Sequence, residues 1–237
     1  MKIFSLVLPC YNEGENINKL LDLITKLQEE NNSTEIIIVD NGSKDDSLIK
    51  IKNHPIYIKN YITLVEIKKN LGYGHGIIEG LKKSTGKYIG WCHADLQNNL
   101  NDIYNIFKNN LDKLEEKRLI LKGKRMNRNA IDNFFTSGMS KLVNLLFKCK
   151  LNDINAQPKI FSRNLLELLK NPPIDFSLDL YLLLTANQNN YEILECPLIV
   201  YKRVAGEAKG GGTLMSKIKL TFKTFVYIYK IKKSGKF

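Results

Sequence analysis

The sequence predicts an α/β protein in which a mostly parallel central sheet carries helices on both faces. In the first half of the chain, short apolar runs alternate with segments of helical spacing, a pattern typical of parallel strands joined by crossover helices. Polar clusters follow these runs, and parallel strands bring such ends to one edge, where ligands bind. The 237 residues, 43% of them hydrophobic, suffice for one domain with a substantial core.

The first half contains four predicted strands. Continuous apolar runs are typical of strands that are buried on both faces, and they predict strands over 3–8, 36–40, 62–67 and 88–92. Apolar residues at helical spacing predict helices over 17–27, 44–52 and 72–83. The His54-Pro55 pair predicts a loop before the third strand.

The second half is less regular. Helical spacing predicts helices over 103–114, 134–147 and 178–186. Short apolar runs predict strands over 118–121, 160–161 and 191–201, the last of which contains Pro197. Residues 204–212 contain four glycines and predict a flexible loop.

The C-terminal tail, residues 214–237, predicts a basic amphipathic helix. At about 100° per residue, apolar and aromatic side chains share one face, and three lysines lie opposite: Leu214, Ile218, Phe222, Phe225 and Tyr229 against Lys219, Lys223 and Lys230. Such a helix either packs on the core or lies on an anionic membrane surface. Lys232, Lys233 and Lys236 favour the membrane surface.

The charge balance favours an anionic partner. Thirty-six Lys and Arg against 24 Asp and Glu leave a net charge of +12, which suits nucleic acid, an acidic membrane or phosphorylated substrates. Nucleic acid is disfavoured, because the basic residues are spread out and no recognition-helix or zinc pattern accompanies them. No run approaches the about 20 apolar residues of a membrane-spanning helix.

The four cysteines are expected to be reduced, buried thiols of a cytoplasmic protein. Cys10, Cys92, Cys149 and Cys196 are far apart and form no Cys-x-x-Cys pair. A structural disulfide is therefore not expected.

Residues 87–97 are the strongest candidate for chemistry. A short apolar strand stops at His93, Asp95 and Gln97. Alternation along an extended chain would place these three side chains on the same side, where all could bind one divalent ion.

Three other strand ends carry polar motifs that are weak individually. Tyr11 offers a ring for stacking and Glu13 a carboxylate, while Asp40 can accept hydrogen bonds from a base or ribose. The glycines of 70–76 fail the G-x-G-x-x-G spacing and follow the third strand, which disfavours an NAD-dependent oxidoreductase. This turn either approaches a phosphate or sugar closely or is simply a tight connection.

Together these motifs resemble family-2 glycosyltransferases, above all the polyprenyl-phosphate sugar transferases of the dolichol-phosphate mannose synthase type. Four segments stand in the family's order and spacing: Leu8-Pro-Cys-Tyr-Asn-Glu13, Val39-Asp-Asn-Gly-Ser-Lys-Asp45, Asn70-Leu-Gly72 and Ala94-Asp-Leu-Gln97. Later segments agree more loosely, so the resemblance covers the chain up to the tail. It implies a GT-A domain over 1–212, with a nucleotide-sugar-binding half (1–100) and an acceptor half (101–212), followed by the tail at 213–237.

The resemblance implies an inverting enzyme that moves a hexose from a GDP- or UDP-linked sugar to a polyprenyl phosphate in cell-envelope glycan synthesis. Such an enzyme would sit peripherally on the inner face of the cytoplasmic membrane, held by the tail, with a membrane protein as a further candidate partner. The implied nucleotide-sugar-binding residues are Pro9, Tyr11, Glu13, Asp40, Asn70, Gly72 and Asp95. The implied ligands of Mn²⁺ or Mg²⁺ are His93, Asp95 and Gln97. The implied catalytic residues are Asp95 and the basic residues that would meet the lipid phosphate or leaving diphosphate, Arg125, Arg203 and Lys209.

The chain departs from the family pattern at several positions. His93 replaces the first Asp of Asp-Ala-Asp-Leu-Gln, and Asn41 replaces the second Asp of Val-Asp-Asp-Gly-Ser. Gln157-Pro158 stands where Gly-Phe is common, and Ala208 where Ser is. Imidazole suits Mn²⁺ better than Mg²⁺. We therefore expect altered metal dependence or a specialised substrate, with a nucleotide-sugar-binding protein of reduced turnover as an alternative.

Two classes of acceptor stay open. A lipid phosphate is already ionised and requires no general base, which fits a sequence with only three histidines. A glycan hydroxyl would require a carboxylate base, for which Asp153 and Asp179 are the candidates.

Overall fold

The computed structural model describes residues 2–31, 33–127, 130–205, 214–235 and 237. Seven strands form one sheet: β1 (Phe4–Cys10), β2 (Thr34–Asp40), β3 (Ile62–Glu66), β4 (Tyr88–Trp91), β5 (Leu119–Arg125), β6 (Lys159–Ser162) and β7 (Glu192–Leu198). Ten helices surround it within the described ranges: α1 (Ile17–Glu30), α2 (Ser47–Asn53), α3 (Pro55–Ile58), α4 (Tyr73–Lys83), α5 (Leu100–Lys108), α6 (Leu111–Glu116), α7 (Ala130–Phe147), α8 (Arg163–Glu167), α9 (Leu178–Gln188) and α10 (Leu214–Lys233).

The sheet has the order β3-β2-β1-β4-β6-β5-β7 and is mostly parallel. Only β6 among these strands runs antiparallel to its neighbours, β4 and β5. The register places Cys10 opposite Asp40, and Asp40 opposite Glu66. The carboxyl ends of the other six strands therefore lie at one edge, which confirms the predicted α/β class.

Alternating strand residues divide the core into two clusters. Leu6 and Leu8 of β1 pack with α1 on one face of the sheet, whereas Val7 packs with α4 and α9 on the other. A strand that is buried on both faces has to be apolar along its whole length. This explains why the strands appear in the sequence as continuous apolar runs.

Two local predictions were wrong, and one short helix was not predicted. The loop predicted at His54-Pro55 contains α3, because proline is well suited to the first turn of a helix. The single helix predicted over 103–114 is two helices, α5 and α6, separated by Asn109 and Asn110. Asn110 Nδ2 donates to the Ile106 carbonyl at 2.9 Å, and such side-chain bonds compete with a continuing helix. Helix α8 was not predicted, since five residues show no periodicity.

The C-terminal helix α10 packs on the protein with a face that was not the predicted apolar one. Among its described side chains, Ile228 and Ile231 are buried, and the Phe237 ring beyond it contacts the rings of Phe147 and Tyr181 edge-on. The aromatic side chains Phe222, Phe225 and Tyr229 are exposed instead. The helix thus has one face against α7 and a second, aromatic face away from the protein.

Among the described helices, none combines the length and the apolar character that crossing a bilayer requires.

Candidate active site

The loops after β1 and β2 are joined at the carboxyl edge of the sheet. The backbone amides of Asn12 and Glu13 donate to the hydroxyls of Ser43 (3.0 Å) and Ser47 (2.9 Å). The Gly14 amide donates to Asp45 Oδ2 at 2.9 Å. Two motifs that are far apart in sequence therefore form one rigid wall of the site.

Arg203 joins two other predicted site residues. Its guanidinium group forms ion pairs with Glu13, just before α1, and with Asp95, after β4. The distance from Arg203 Nη1 to Asp95 Oδ2 is 3.3 Å. Both carboxylates are buried, so the arginine neutralises charge that water reaches poorly. The predicted strand ends therefore do meet at one edge of the sheet, and the guanidinium group of Arg203 lies between their carboxylates.

The predicted extended geometry of His93, Asp95 and Gln97 was wrong. Strand β4 ends at Trp91, and the backbone then turns, with Leu96 at φ = 61°. Asp95 Oδ1 accepts from the Gln97 amide at 3.2 Å, so the carboxylate closes its own turn. The Gln97 side chain donates to the Tyr201 carbonyl at 3.3 Å. Alternation fails because a turn does not project every second residue to one side.

The donor set at this turn fits a divalent ion. Asp95 offers a hard carboxylate, Gln97 an amide oxygen and His93 an imidazole nitrogen, all of which bind Mn²⁺. Arg203 already pairs with Asp95 Oδ2, so a divalent ion would have to share this carboxylate with the guanidinium group. Within the described ranges, no group of three or more His, Cys, Asp or Glu side chains is arranged to hold a metal by itself.

Asp40, at the end of β2, is a buried carboxylate whose Oδ1 atom has no hydrogen-bond partner among the described residues. Its neighbour Asn41 donates from Nδ2 to the Gly72 carbonyl at 3.0 Å. An aspartate at position 41 could not donate this bond. The departure from the family pattern at Asn41 therefore has a local structural explanation.

The glycine-rich turn is closely packed against another loop. A Cβ atom on Gly72 would lie 2.3 Å from the Ile174 carbonyl oxygen, and one on Gly74 would lie 2.5 Å from that of Pro173. The His75 amide donates to the Ile174 carbonyl at 3.0 Å. Of the two interpretations of this turn, these contacts favour the one in which it is a tight connection. Donor contact by Asn70 and Gly72 stays a prediction.

Both candidate bases are held in ion pairs. Asp153 binds the guanidinium group of Arg125 with both oxygens, and Arg125 Nε lies 2.9 Å from Oδ2. Asp179 is buried and accepts from Lys159 Nζ at 2.5 Å and from Gln157 Nε2 at 3.0 Å. Burial lowers the pKa of Lys159, although the Asp179 charge opposes this effect.

Two buried lysines and one tyrosine that contact the predicted site residues were not predicted from the sequence. Lys122 Nζ lies 3.3 Å from Glu195 Oε1 and donates to the Asp153 carbonyl at 3.4 Å, and burial lowers its pKa. Lys159 donates to the Ala156 carbonyl at 3.0 Å, so the two ammonium groups bind carbonyl oxygens of one loop that contains Asp153 and Ala156. Each lysine stands at the end of a short apolar run, Lys122 after Leu119-Ile-Leu121 and Lys159 before Ile160-Phe161, which was the available signal. Tyr73, at the start of α4, had no such signal.

The other residues singled out in the sequence fall into three groups. Pro9 and Tyr11 are half-buried at the end of β1, where a base could reach them. Lys209 and Ala208 lie outside the described residues. All four cysteines are buried and free, as expected, and burial raises the pKa of Cys10 and Cys92.

Comparison with known proteins supports the assignment of the fold. The structure superimposes on glucosyl-3-phosphoglycerate synthase from Mycobacterium tuberculosis, solved with Mn²⁺, UDP and phosphoglyceric acid, with a TM-score of 0.74 at 18% identity over 98% of this chain and 78% of that one. The same enzyme solved with Mg²⁺ and UDP gives 0.72 at 18% identity, over 94% and 77%. The chain therefore has the predicted GT-A fold.

Two curated relatives are undecaprenyl-phosphate 4-deoxy-4-formamido-L-arabinose transferases. The protein from Klebsiella pneumoniae (strain 342) is 25% identical over 88% of this chain and 63% of its own length. The protein from Proteus mirabilis (strain HI4320) is 28% identical over 60% and 42%. This chain thus spans less than two thirds of either relative. The sequence pattern of Glycosyl transferase family 2 matches residues 5–162, two thirds of the chain, and the chain belongs to that family.

Proposed function

We propose that this protein is an inverting glycosyltransferase that moves a hexose from a GDP- or UDP-linked sugar to a polyprenyl phosphate. The observation that carries the proposal is that Asp153 and Asp179 are both held in ion pairs. The names of the two relatives support the acceptor class. The UDP in the similar structure supports a nucleoside diphosphate as the leaving group.

The ion pairs favour an acceptor that is already ionised. A hydroxyl acceptor must lose its proton to a base within reach, and a carboxylate bound to arginine or lysine is a weak base. A phosphate oxygen needs no such base. In the proposed reaction it forms a bond to the anomeric carbon, while the bond from that carbon to the donor diphosphate breaks. The nucleoside diphosphate leaves with the electron pair.

We assign the donor to the carboxyl ends of β1, β2 and β4. Pro9, Tyr11 and Glu13 would frame the base, and Asp40 would accept from base or ribose through its unpaired Oδ1 atom. Residues 1–100 would thus provide the donor half of a catalytic domain over 1–212, and residues 101–212 the acceptor half.

Asp95, with His93 and Gln97, would hold the divalent ion in this proposal. When bound, the ion offsets the charge that builds up on the leaving diphosphate. Arg125, Arg203 and Lys209 would add positive charge around the acceptor phosphate and the diphosphate. The imidazole of His93 favours Mn²⁺ over Mg²⁺.

A transfer assay tests the proposal. The protein is incubated with GDP- and UDP-hexoses, Mn²⁺ or Mg²⁺, and either a polyprenyl phosphate or glycan acceptors, and the anomeric configuration of the product is measured by NMR. We expect transfer to the polyprenyl phosphate with inversion. We expect Asp95→Asn to reduce the rate by about 100-fold or more, whereas the exposed control Asp112→Asn leaves it unchanged.

Other outcomes would overturn the proposal. Transfer to glycan hydroxyls alone would assign the second acceptor class. Donor binding without transfer to any acceptor would favour a nucleotide-sugar-binding protein, which the replacement at His93 makes the main alternative.

We further propose that α10 holds the protein on the inner face of the cytoplasmic membrane. Phe222 and Tyr229 are each 67% exposed, and Lys219, Lys223 and Lys230 are exposed beside them. Aromatic rings with flanking lysines suit the interface of an anionic bilayer. This arrangement would bring the site close to an acceptor that stays in the membrane.

Co-sedimentation with liposomes tests this placement. We expect Phe222→Ser with Tyr229→Ser to release the protein from phosphatidylglycerol vesicles. We also expect 0.5 M salt to weaken binding of the unmodified protein, because the Debye length is then about 4 Å and the attraction of the lysines to the lipid headgroups is screened. Ile58→Ser is the control, because Ile58 is 70% exposed on another helix, α3. Unchanged binding of the double variant would contradict the proposal.

A further inference from the structure

Two departures from the family pattern, His93 and Gln157, meet at Tyr73. The Tyr73 ring lies 5.4 Å from the His93 ring, measured between centroids, at an interplanar angle of 34°. The Gln157 side chain donates from Nε2 to the Tyr73 hydroxyl at 2.8 Å. Gln157, which is 84 positions from Tyr73 in sequence, and His93 thus contact one tyrosine side chain.

The Tyr73 side chain is held by a stacked ring and by bonds to its hydroxyl. Phe176 stacks on it at 4.7 Å with an angle of 11°. Its hydroxyl interacts with Asp179 as well as Gln157, and Asp179 is in turn fixed by Lys159. Burial and the nearby Asp179 charge raise the pKa of Tyr73. A ring held in this way can orient a neighbour.

The neighbour that it orients must be aromatic. Ring pairs attract at this separation when they are offset or tilted, whereas a carboxylate gains nothing from the negative face of a phenol ring. A glycine at position 157 could not reach the hydroxyl. The two departures therefore make physical sense as a pair, with Tyr73 as the link.

We propose that Tyr73 is a positioning residue that holds the His93 imidazole next to Asp95, so that the imidazole faces the divalent cation of a bound metal–nucleoside diphosphate. Gln157 and Asp179 act through Tyr73. The inference rests on the proposed donor site and names its ligand class, a Mn²⁺ complex of a nucleoside diphosphate. It explains how the site works with an imidazole where the family pattern has a carboxylate.

A double-mutant cycle on Mn²⁺ binding tests this inference. Binding is measured by the electron paramagnetic resonance of free Mn²⁺ with UDP present, and separately with GDP. We expect Tyr73→Leu to weaken Mn²⁺ binding about tenfold when His93 is present, but less than about twofold in a His93→Asp background. Gln157→Ala should act in the same direction with a smaller effect.

Controls separate positioning from general stability. Tyr104→Leu removes a half-buried tyrosine from the other core cluster and should leave Mn²⁺ binding unchanged. If Tyr73→Leu does not fold, Tyr73→Phe keeps the ring and loses only the hydroxyl bonds. It should weaken Mn²⁺ binding by about two- to fivefold, and again only with His93 present.

Two results would overturn the inference. An equal loss of Mn²⁺ affinity in both backgrounds would make Tyr73 a structural residue, and no loss in either would remove its role. Because no acceptor or transfer enters this measurement, failure of the proposed acceptor class would leave its result intact. Absence of any Mn²⁺–UDP or Mn²⁺–GDP binding by the unmodified protein would instead reject the donor site itself.

Discussion

Arg203 neutralises two buried carboxylates that come from different strand ends. The exposed fractions of the three side chains are 15% for Arg203, 9% for Glu13 and 11% for Asp95. Its position between them was not foreseen, because the sequence analysis assigned Arg203 to the lipid phosphate or the leaving diphosphate. In the structure, Arg203 connects the loop after β1 to the turn after β4.

Replacing Arg203 with leucine should strongly destabilise the fold. Two carboxylates would remain buried without a counter-charge, which typically costs about 3–5 kcal/mol of unfolding free energy. Urea unfolding at pH 7 measures the loss, and Lys202→Leu is the control, since Lys202 is exposed next to Arg203. A loss no larger than that of the control would show that the ion pairs contribute little.

Asn41→Asp should also destabilise the protein, although the family pattern has Asp at this position. The Asn41 amide donates to the Gly72 carbonyl, and a carboxylate would face that oxygen with no proton to donate, at a cost of about 1–3 kcal/mol. Thermal unfolding checks this expectation. Asn12→Asp is the matched control, because the Asn12 side-chain oxygen accepts from the Lys44 amide and a carboxylate can accept that bond as well. Equal melting temperatures for the two variants would contradict the prediction.

At the scale of elements, β6 is attached to α9 by a buried ion pair. Lys159 begins this short antiparallel strand, and its ammonium group binds Asp179 in the first turn of α9. Because both side chains are almost fully buried, the pair connects the centre of the sheet to the helix that covers it.

Removing one member of this pair should be far worse than removing both. We expect Asp179→Asn to lower the free energy of unfolding by about 3–5 kcal/mol, since Lys159 would lose its counter-charge. Adding Lys159→Met should recover a large part of this loss. Chemical unfolding of the two single variants and the double variant measures the coupling, and additive losses would contradict it.

At the scale of the whole molecule, α10 belongs to the fold as well as to the proposed membrane contact. Ile228 and Ile231 are buried, and Lys232 Nζ donates to the Leu146 carbonyl at 2.8 Å. The tail therefore cannot be treated as a separate appendage. Packing on the core is confirmed for one face of the helix, and membrane binding by the exposed aromatic face stays a prediction.

Truncation before α10 should lower the thermal unfolding midpoint. Each buried isoleucine contributes about 1.5–3 kcal/mol, and the deletion also uncovers the partner surface on α7. Differential scanning calorimetry of residues 1–213 measures the shift, with Phe222→Ser plus Tyr229→Ser as the control that changes only the exposed face. An unchanged midpoint after truncation would show that the helix packs weakly.

Much of the first half was predictable, because its information is local. Strands buried on both faces have to be apolar throughout, so β1 and β2 appear as uninterrupted runs. The site was predictable only as a set of strand ends. The turn after β4 and the contact of His93 with Tyr73 depend on backbone geometry and on packing that no periodicity reports.

By itself, the sequence determined the α/β class, the order of the strands and of the helices other than α3 in the first half, and the polar clusters at the strand ends, because these follow from the spacing of apolar residues along the chain. Only the tertiary structure decided that β6 pairs antiparallel with β4 and which face of α10 is buried. It also decided that Arg203 contacts Glu13 and Asp95, which are 190 and 108 positions away in the sequence. Such features arise from contacts between distant residues. Their free energy depends on charge pairing and complementary packing in three dimensions, which local spacing does not encode.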